Sequence, residues 1–538
     1  MKKRIVFGLP ALALVVVLAV ALAGCGGTKK SSGGAKVADR PANEKVDPLN
    51  QKDKLPLKVA VLTGFTQPNS RTEKWLEERY NVDIDIIALP GWSDAPAKIS
   101  LLMTDANQRP DVIWWWGMDA DFAKWKDAGL LVDVSKYIDK YTVIRDYYNS
   151  QDPSTLYFAS SDGGKIFRIP GDVSEPSCEV LWIRQDWLDN LGLKVPTTLA
   201  ELDDVLYKFT FNDPDKNGKN DTYGLGGDGH DFRTFWPWIQ GSGNGIGDYA
   251  NYMIDVDGSF VYGPATNDAK IWLGRIAKLY KDGVVTPNII NDTDRDEEFV
   301  NGGFGVAYTW VAYNNPGNNT IASFQKANPT ARWVPIEMVK GDNGSPQEEP
   351  ATAGAWCYFG ITNVCKDPER VFAMWDDMTR PDPYLVRRFG LEGKEYSKNS
   401  DGSYTILISN GGAENDNQNI GMRLFADLVA RKDFANIENL PSTTALFTRS
   451  GERSRDYYSH YIEKKDPNAY VVQNDLGTEV SDAREAYFWS VVAGTESIDN
   501  WDKYIANLKA AGLDQILAEL KDIYGKQQVE HKAYLAGR

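Results

Sequence analysis

Segments with strand periodicity and segments with helix periodicity alternate along this chain, and that order restricts the folds open to it. Leu57–Thr63 reads as a strand, and Ser70-Arg71-Thr72-Glu73 is a capping box that starts a short helix through Trp75 and Tyr80. Val82–Ile86 alternates as a second strand, and Ile99, Leu102, Met103 and Ala106 fall at helical spacing. Pro110–Trp116 is a third strand, followed by a helix over Asp121–Ala128 that Gly129 stops. Strands separated by helices predict an α/β fold with a parallel sheet and crossover helices. The pattern reopens at Val180-Leu181-Trp182-Ile183. A second capping box, Thr198 to Glu201, then starts a helix with Leu199, Leu202, Leu206 and Phe209 as its buried stripe. The stretch 212–263 reads as loop-rich, Ile271–Lys281 as a helix and Phe304–Tyr308 as a strand leading into Trp310. Further helices start at Asp367-Pro368-Glu369 and run on either side of Gly512.

The N-terminus sets the compartment. A basic start (Lys2, Lys3, Arg4), an apolar run from Ile5 to Ala21 and small residues before Cys25 make residues 1–24 a secretory signal peptide. Pro10 interrupts an apolar run already near the lower limit for a membrane span, which favours export over permanent insertion. Leu22-Ala23-Gly24-Cys25 is similar to the lipobox of bacterial lipoproteins, which implies acylation of Cys25 and cleavage just before it. Residues 26–54 hold almost no large apolar side chain, so 25–54 is predicted to be a lipidated cysteine on a flexible tether. The expected location is the outer face of a bacterial cell membrane, with the lipid as the sole membrane contact.

Removing the leader leaves 514 of 538 residues, more than one hydrophobic core usually supports, so two lobes are expected. It also takes the formal charge from −16 to −19, which argues against nucleic acid as a partner. Cys357 and Cys365 bracket an apparent strand that would hold them about 26 Å apart, so no structural disulfide is expected. Signals of catalysis are poor. The three His (His230, His460, His531) lack metal-ligand spacing, and no nucleophile elbow, P-loop or Rossmann fingerprint is present. With 75 acidic residues, a glycosidase-type carboxylate pair stays open on inspection.

The order of leader, polar tether, α/β unit and then "LGLKVPTTLAEL" (Leu191 to Leu202) resembles the carbohydrate-type solute-binding proteins of ABC importers. "FVNGGFGVAYTW" (Phe299 to Trp310), "FGLEGKEYSKNSDGSYT" (Phe389 to Thr405) and "WDKYIANLKAAGLDQIL" (Trp501 to Leu517) extend the likeness. Together they are similar to the subgroup of LipO-like and alginate-oligosaccharide-binding proteins. The resemblance implies a two-lobed periplasmic-binding-protein-like fold, with a helix-flanked central sheet in each lobe and a hinge between them. The implied lobes are 55–172 plus 357–425 and 173–356 plus 426–538. It further implies a monomer that captures an oligosaccharide between the lobes and delivers it to an ABC permease, with no reaction catalysed. The competing readings are a secreted polysaccharide lyase or glycoside hydrolase, and a peptide-binding receptor.

Seventeen Trp, 26 Tyr and 20 Phe supply the flat apolar faces that sugar rings need. Ligands of open α/β sheets sit beyond the carboxyl ends of strands, which points to Trp116 and, in the loop after it, Asp119. Trp182 and Arg184 alternate on one face of the strand after the first crossover, and an Arg there can hold several hydroxyls or an acidic sugar. An inter-lobe salt bridge is the other use of Arg184. Trp236 and Trp238 sit in a Gly-rich stretch, and Trp356 lies where the chain crosses back between lobes. Gln67 and Asn69 follow the first strand as polar candidates. The family resemblance adds Trp310, in a segment where sugar-binding relatives place a stacking aromatic.

Asp213, Asp215, Asn217 and Asp221 place oxygens at positions 1, 3, 5 and 9 of an EF-hand-type loop, with Gly218 at 6 and the Lys219 carbonyl at 7. A hard cation such as Ca²⁺ requires that spacing, although an Asx-rich turn without metal uses the same residues. In alginate-binding relatives the loop ends in a Glu directly after the last Asp; Thr222 stands there in this chain, and Gly224 replaces the acid of position 12. A weak structural calcium site is therefore expected.

Overall fold

The computed structural model describes residues 48–537 apart from 63–67, 92–93, 117–118, 172–178, 256, 292–294, 311–318, 345–354, 356, 395, 401–403, 408–423, 426–427, 430, 432–461 and 463. The leader, Cys25, Gln67, Cys178 and Trp356 thus lie outside the described residues, as do the side chains of Asp119 and Trp310.

The first sheet has the order β2-β1-β3-β11-β4, built from β1 (Leu55–Leu62), β2 (Val82–Leu89), β3 (Val112–Trp116), β4 (Ile169–Pro170) and β11 (Cys357–Ile361). β1 pairs in parallel with β2 from Leu55↔Val82 to Leu62↔Leu89, and with β3 at Val59↔Val112. The helix Arg71–Tyr80 makes this parallel step possible. Ser70 Oγ accepts the Glu73 N–H at 3.1 Å, the Glu73 carboxylate accepts the Ser70 N–H at 3.3 Å, and Asn81 ends the helix in the left-handed region at φ 51°. The expectation of a parallel sheet fails for β11, which runs antiparallel to both β3 and β4. It enters from the other lobe, so no crossover helix fixes its direction.

The second sheet has the order β10-β5-β9-β6: β5 (Glu179–Arg184), β6 (Tyr223–Leu225), β9 (Phe304–Trp310) and β10 (Trp333–Ile336). Only β6 and β9 are parallel in it. The segment read as loop-rich contains β6, a hairpin of β7 (Tyr252–Ile254) and β8 (Phe260–Tyr262), and the buried helix Trp236–Gly241. The helix Leu199–Phe211 starts at the Thr198–Glu201 capping box and packs its predicted stripe inward. Each sheet carries its own apolar cluster. One draws on 55–169 and 357–429; the other on 181–339 and the C-terminal helices from Tyr470 onward. These are the two lobes.

Two expectations need correction. The predicted tether through Lys54 ends earlier, because 48–54 is docked on the first lobe. Leu49 packs against its core, Asn81 Nδ2 donates to the carbonyls of Gln51 and Lys52 at 2.9 and 3.2 Å, and Arg370 donates to that of Asp53 at 2.8 Å. Backbone carbonyls hold this segment, which side-chain composition does not reveal. β11 also stops at Ile361, short of the Val364 expected; the Thr362 hydroxyl donates to the Pro110 carbonyl at 2.6 Å as the chain turns. Cys357 and Cys365 are free, buried thiols, and burial pushes the Cys365 thiol up. No helix among the described residues is long and apolar enough to cross a membrane.

Candidate functional site

The ends of the two sheets are brought together by the chain crossing between them. In the first lobe Trp116 pairs with Cys357, Tyr358 with Pro170, and the Gly171 N–H donates to the Cys357 carbonyl at 2.8 Å. In the second lobe Glu179 pairs with Trp310, and Leu181 with both Tyr308 and Ile336. The chain passes from Gly171 to Glu179 in eight steps, so those two edges lie within about 29 Å of each other. The carboxyl ends of β3 and β9 both sit at these edges, where open α/β sheets place ligands.

Trp116 is the predicted residue best placed for contact. It is partly exposed, with its ring 4.3 Å from that of Trp115 and 5.7 Å from that of Trp114. Trp114 and Trp115 lie inside the core, and Trp115 Nε1 is spent on Asp121 at 3.0 Å. Asp119 opens the helix Asp119–Asp127 instead of lying in a loop before it. Trp310 is the last residue of β9, and Asn69 is exposed with φ 65°.

Trp182, Arg184 and Trp238 are corrected to core positions. The face of β5 carrying Trp182 and Arg184 is covered by aromatics: Trp182 is fully buried edge-on to Phe299 at 5.8 Å, and that cluster includes Phe324 and Trp333. Arg184 lies 4.5 Å over Trp187, donates to both carboxylate oxygens of Asp186 at 2.9 and 2.7 Å, and to the Gly302 carbonyl at 3.1 Å. A neighbour two residues away takes its charge, so Arg184 neither faces ligand nor bridges the lobes. Trp238 is fully buried and donates to Asp203 at 2.7 Å; the same carboxylate receives Arg275 at 2.8 Å. Pro237 in the first turn starts a helix where glycine content predicted a loop. Trp236 is also buried, lying near-parallel to Tyr308 with centroids 6.4 Å apart and edge-on to Tyr249. It supports the β9 edge from beneath and offers no open face to a sugar.

Sequence reasoning missed polar groups at that edge. Glu179, the buried acid that opens β5, lies within electrostatic reach of Arg233. Arg233 donates through Nε and Nη2 to Asp231 at 2.8 and 2.6 Å. That bond raises its proton affinity against the opposing cost of burial, and the charge of Glu179 adds to the rise. The Asp-x-Arg spacing was the available signal. Arg168 of the first lobe, also buried, stacks 4.0 Å over Tyr358 near the hinge strand.

The loop expected to bind calcium keeps part of the predicted donor set. Asp213 Oδ1 and Oδ2 accept the N–H groups of Asn217 and Gly218 at 3.0 and 3.1 Å, and Gly218 turns at φ 77°. Asn217 Nδ2 donates to Asp215 at 2.9 Å and Asp221 at 3.0 Å, so an amide N–H lies between the carboxylates. Among the described residues no three His, Cys, Asp or Glu side chains are gathered to hold an ion unaided. A cation would fit only after the Asn217 amide turns its Oδ1, now accepting from the Lys219 N–H at 2.7 Å, toward the acids. Burial, and then the neighbouring carboxylates, push Asp215 up. Thr222 is corrected: it is buried and its hydroxyl donates to the Phe209 carbonyl at 2.7 Å, away from the loop. Position 12 is closed to any acid, since a Cβ on Gly224 would come within 2.6 Å of the Leu206 carbonyl oxygen.

Comparison with known proteins bears on the fold and the family. YtcQ of Bacillus subtilis, a polygalacturonan/rhamnogalacturonan-binding protein, is 26% identical over 95% of this chain and 97% of its own. FusA of Streptococcus pneumoniae, a fructooligosaccharide ABC transporter substrate-binding protein, is 23% identical over 97% and 98%. The structure of its EF-hand mutant in complex with fructo-nystose matches with a TM-score of 0.66, at 20% identity over 89% of this chain and all of that one. Alginate-binding protein AlgQ2, solved without calcium ion, matches with a TM-score of 0.67 at 19% identity, over 88% and 99%. The family profile covers residues 61–383, from the end of β1 past β11 and so across both sheets and their crossings; the chain belongs to the bacterial extracellular solute-binding proteins.

Proposed function

We propose that the chain is a lipid-anchored receptor that captures an oligosaccharide between its lobes and presents it to the permease of an ABC importer. Trp116 carries the reading: a partly exposed indole at the carboxyl end of β3, where the chain crosses between lobes. Its flat face suits a sugar ring, and the Glu179, Asp231 and Arg233 set across the crossing suits hydroxyls. The sugars bound by YtcQ and FusA support the ligand class. The lobes are assigned as 55–172 plus 357–425 and 173–356 plus 426–538, except that Leu428 and Val429 pack into the first core and extend that lobe's second segment to Val429. Closure of the hinge around ligand is the functional step, and no reaction is catalysed.

Titration with trigalacturonic acid and with kestose tests the reading. At least one of them is expected to raise the melting temperature, since a ligand that binds the native state stabilises it. Trp116→Ala is expected to weaken that ligand about tenfold, the equivalent of about 1.4 kcal/mol of lost stacking. If no oligosaccharide in a broad plant and microbial panel shifts the parent's melting curve, the ligand class is wrong.

The loop Asp213–Asp221 is proposed to bind one calcium ion as a brace for the second lobe. AlgQ2, solved without calcium ion, and FusA, solved as an EF-hand mutant, support it. With Thr222 turned away and position 12 closed, affinity is expected at about 10⁻⁴ to 10⁻³ M. EDTA is expected to lower the melting temperature and millimolar calcium to restore it. Asp215→Ala is expected to abolish that response while leaving oligosaccharide affinity in calcium unchanged. A melting curve indifferent to chelation would reduce the loop to an Asx turn.

A further inference from the structure

The lobes are joined by more than the strands that cross between them. The C-terminal helix Leu513–Ala536 spans 24 residues, about 36 Å of continuous helix. Its first two turns belong to the second lobe, where Leu513, Ile516 and Leu520 are buried in the core. Its later turns rest on a different body: the short helix Ser154–Ala159 of the first lobe, which precedes hinge strand β4. There the rings of Tyr157 and His531 stack with centroids 4.5 Å apart and planes 21° from parallel. The Tyr157 hydroxyl donates to the Gln527 carbonyl at 3.1 Å, and His531 Nε2 lies 3.0 Å from Ser154 Oγ. Next to this contact, Lys465 donates its N–H to Gln527 Oε1 at 2.9 Å and lays its ammonium 4.5 Å over the Tyr157 ring. Lys126 of the first lobe pairs with Asp466 at 3.2 Å.

We infer that the C-terminal helix is a strut between the lobes, and that the Tyr157–His531 stack sets how far apart they stand before any ligand arrives. A helix fixed in one core and docked by ring stacking on the other body cannot follow a free hinge. It narrows the range of lobe angles, so less conformational entropy is lost when the lobes close. Tyr157 and His531 are thus positioning residues for capture, acting through lobe geometry at a distance from ligand. The affinity consequence rests on the proposed capture of an oligosaccharide; the geometric claim does not.

The test reads both separately. Fluorophores are introduced through non-canonical residues at exposed Lys98 in the first lobe and Lys281 in the second of the mature chain, and their distance distribution is measured without ligand. Tyr157→Ala is expected to broaden that distribution toward larger separations, and to weaken whichever of trigalacturonic acid or kestose binds the parent by about threefold or more. Tyr157→Phe keeps the stack and is expected to remain close to the parent. His531→Ala removes the same stack from the other side and stands in if Tyr157→Ala fails to fold. A ligand-free distribution for both alanine variants that overlays the parent's overturns the strut. So does a Phe variant as loose as the Ala variant. If neither sugar binds any version while the distributions still differ as expected, the ligand reading fails and the strut stands.

Discussion

Trp182→Ala is expected to destabilise the second lobe by about 3–5 kcal/mol, the range for removing a large buried aromatic. Trp182 is fully buried on a β5 face roofed by Phe299, Phe324 and Trp333, and Arg184 closes the same layer over Trp187. Truncation leaves a cavity that the stacked rings cannot collapse into without breaking the 4.5 Å contact between Phe299 and Trp333. Native stability of a domain is about 5–15 kcal/mol, so the loss is a large share of the total. Calorimetry of the whole chain is the measurement, because two lobes can unfold in separate transitions. Oligosaccharide affinity of the fraction that remains folded is expected to be unchanged. The opposite pattern, weakened binding with an intact melting curve, would return Trp182 to the ligand surface.

Cys25→Ser is expected to move nearly all of the protein off the membrane fraction, or to leave it uncleaved. Acyl chains supply membrane affinity at about 0.8 kcal/mol for each buried methylene, and no charge term replaces them in a body of formal charge −19. Fractionation of cells, with mass measurement of the released N-terminus, checks both outcomes. A serine variant that stays with membranes as the parent does and is still cut after Gly24 would mean that something other than acylated Cys25 holds it.

What the sequence made legible was local. Both capping boxes form as read, because a Ser or Thr and a Glu three residues on need no partner from elsewhere. Strand β2 followed from its own alternation for the same reason. Trp182 shows where that reasoning stops: alternation correctly put it on the face of Arg184, but whether a face meets water depends on rings arriving from Phe299 to Trp333. Thr222 repeats the lesson, since loop spacing cannot tell that its hydroxyl caps the carbonyl of Phe209. The antiparallel entry of β11 was equally hidden, being set by a return from another lobe. Those non-local facts are also why Glu179 and Arg233 were missed, two residues that the chain brings together across more than fifty positions.

The docking of residues 48–54 has a mechanical consequence for the folded body. β1 begins at Leu55, next to the segment clasped by Arg370 and Asn81, and ends at Leu62, at the opposite edge of the sheet. Eight residues of strand put about 26 Å between those points. A pull applied at the start of this segment is therefore borne first by those backbone hydrogen bonds, at the edge of the first sheet opposite the carboxyl ends of β1 and β3.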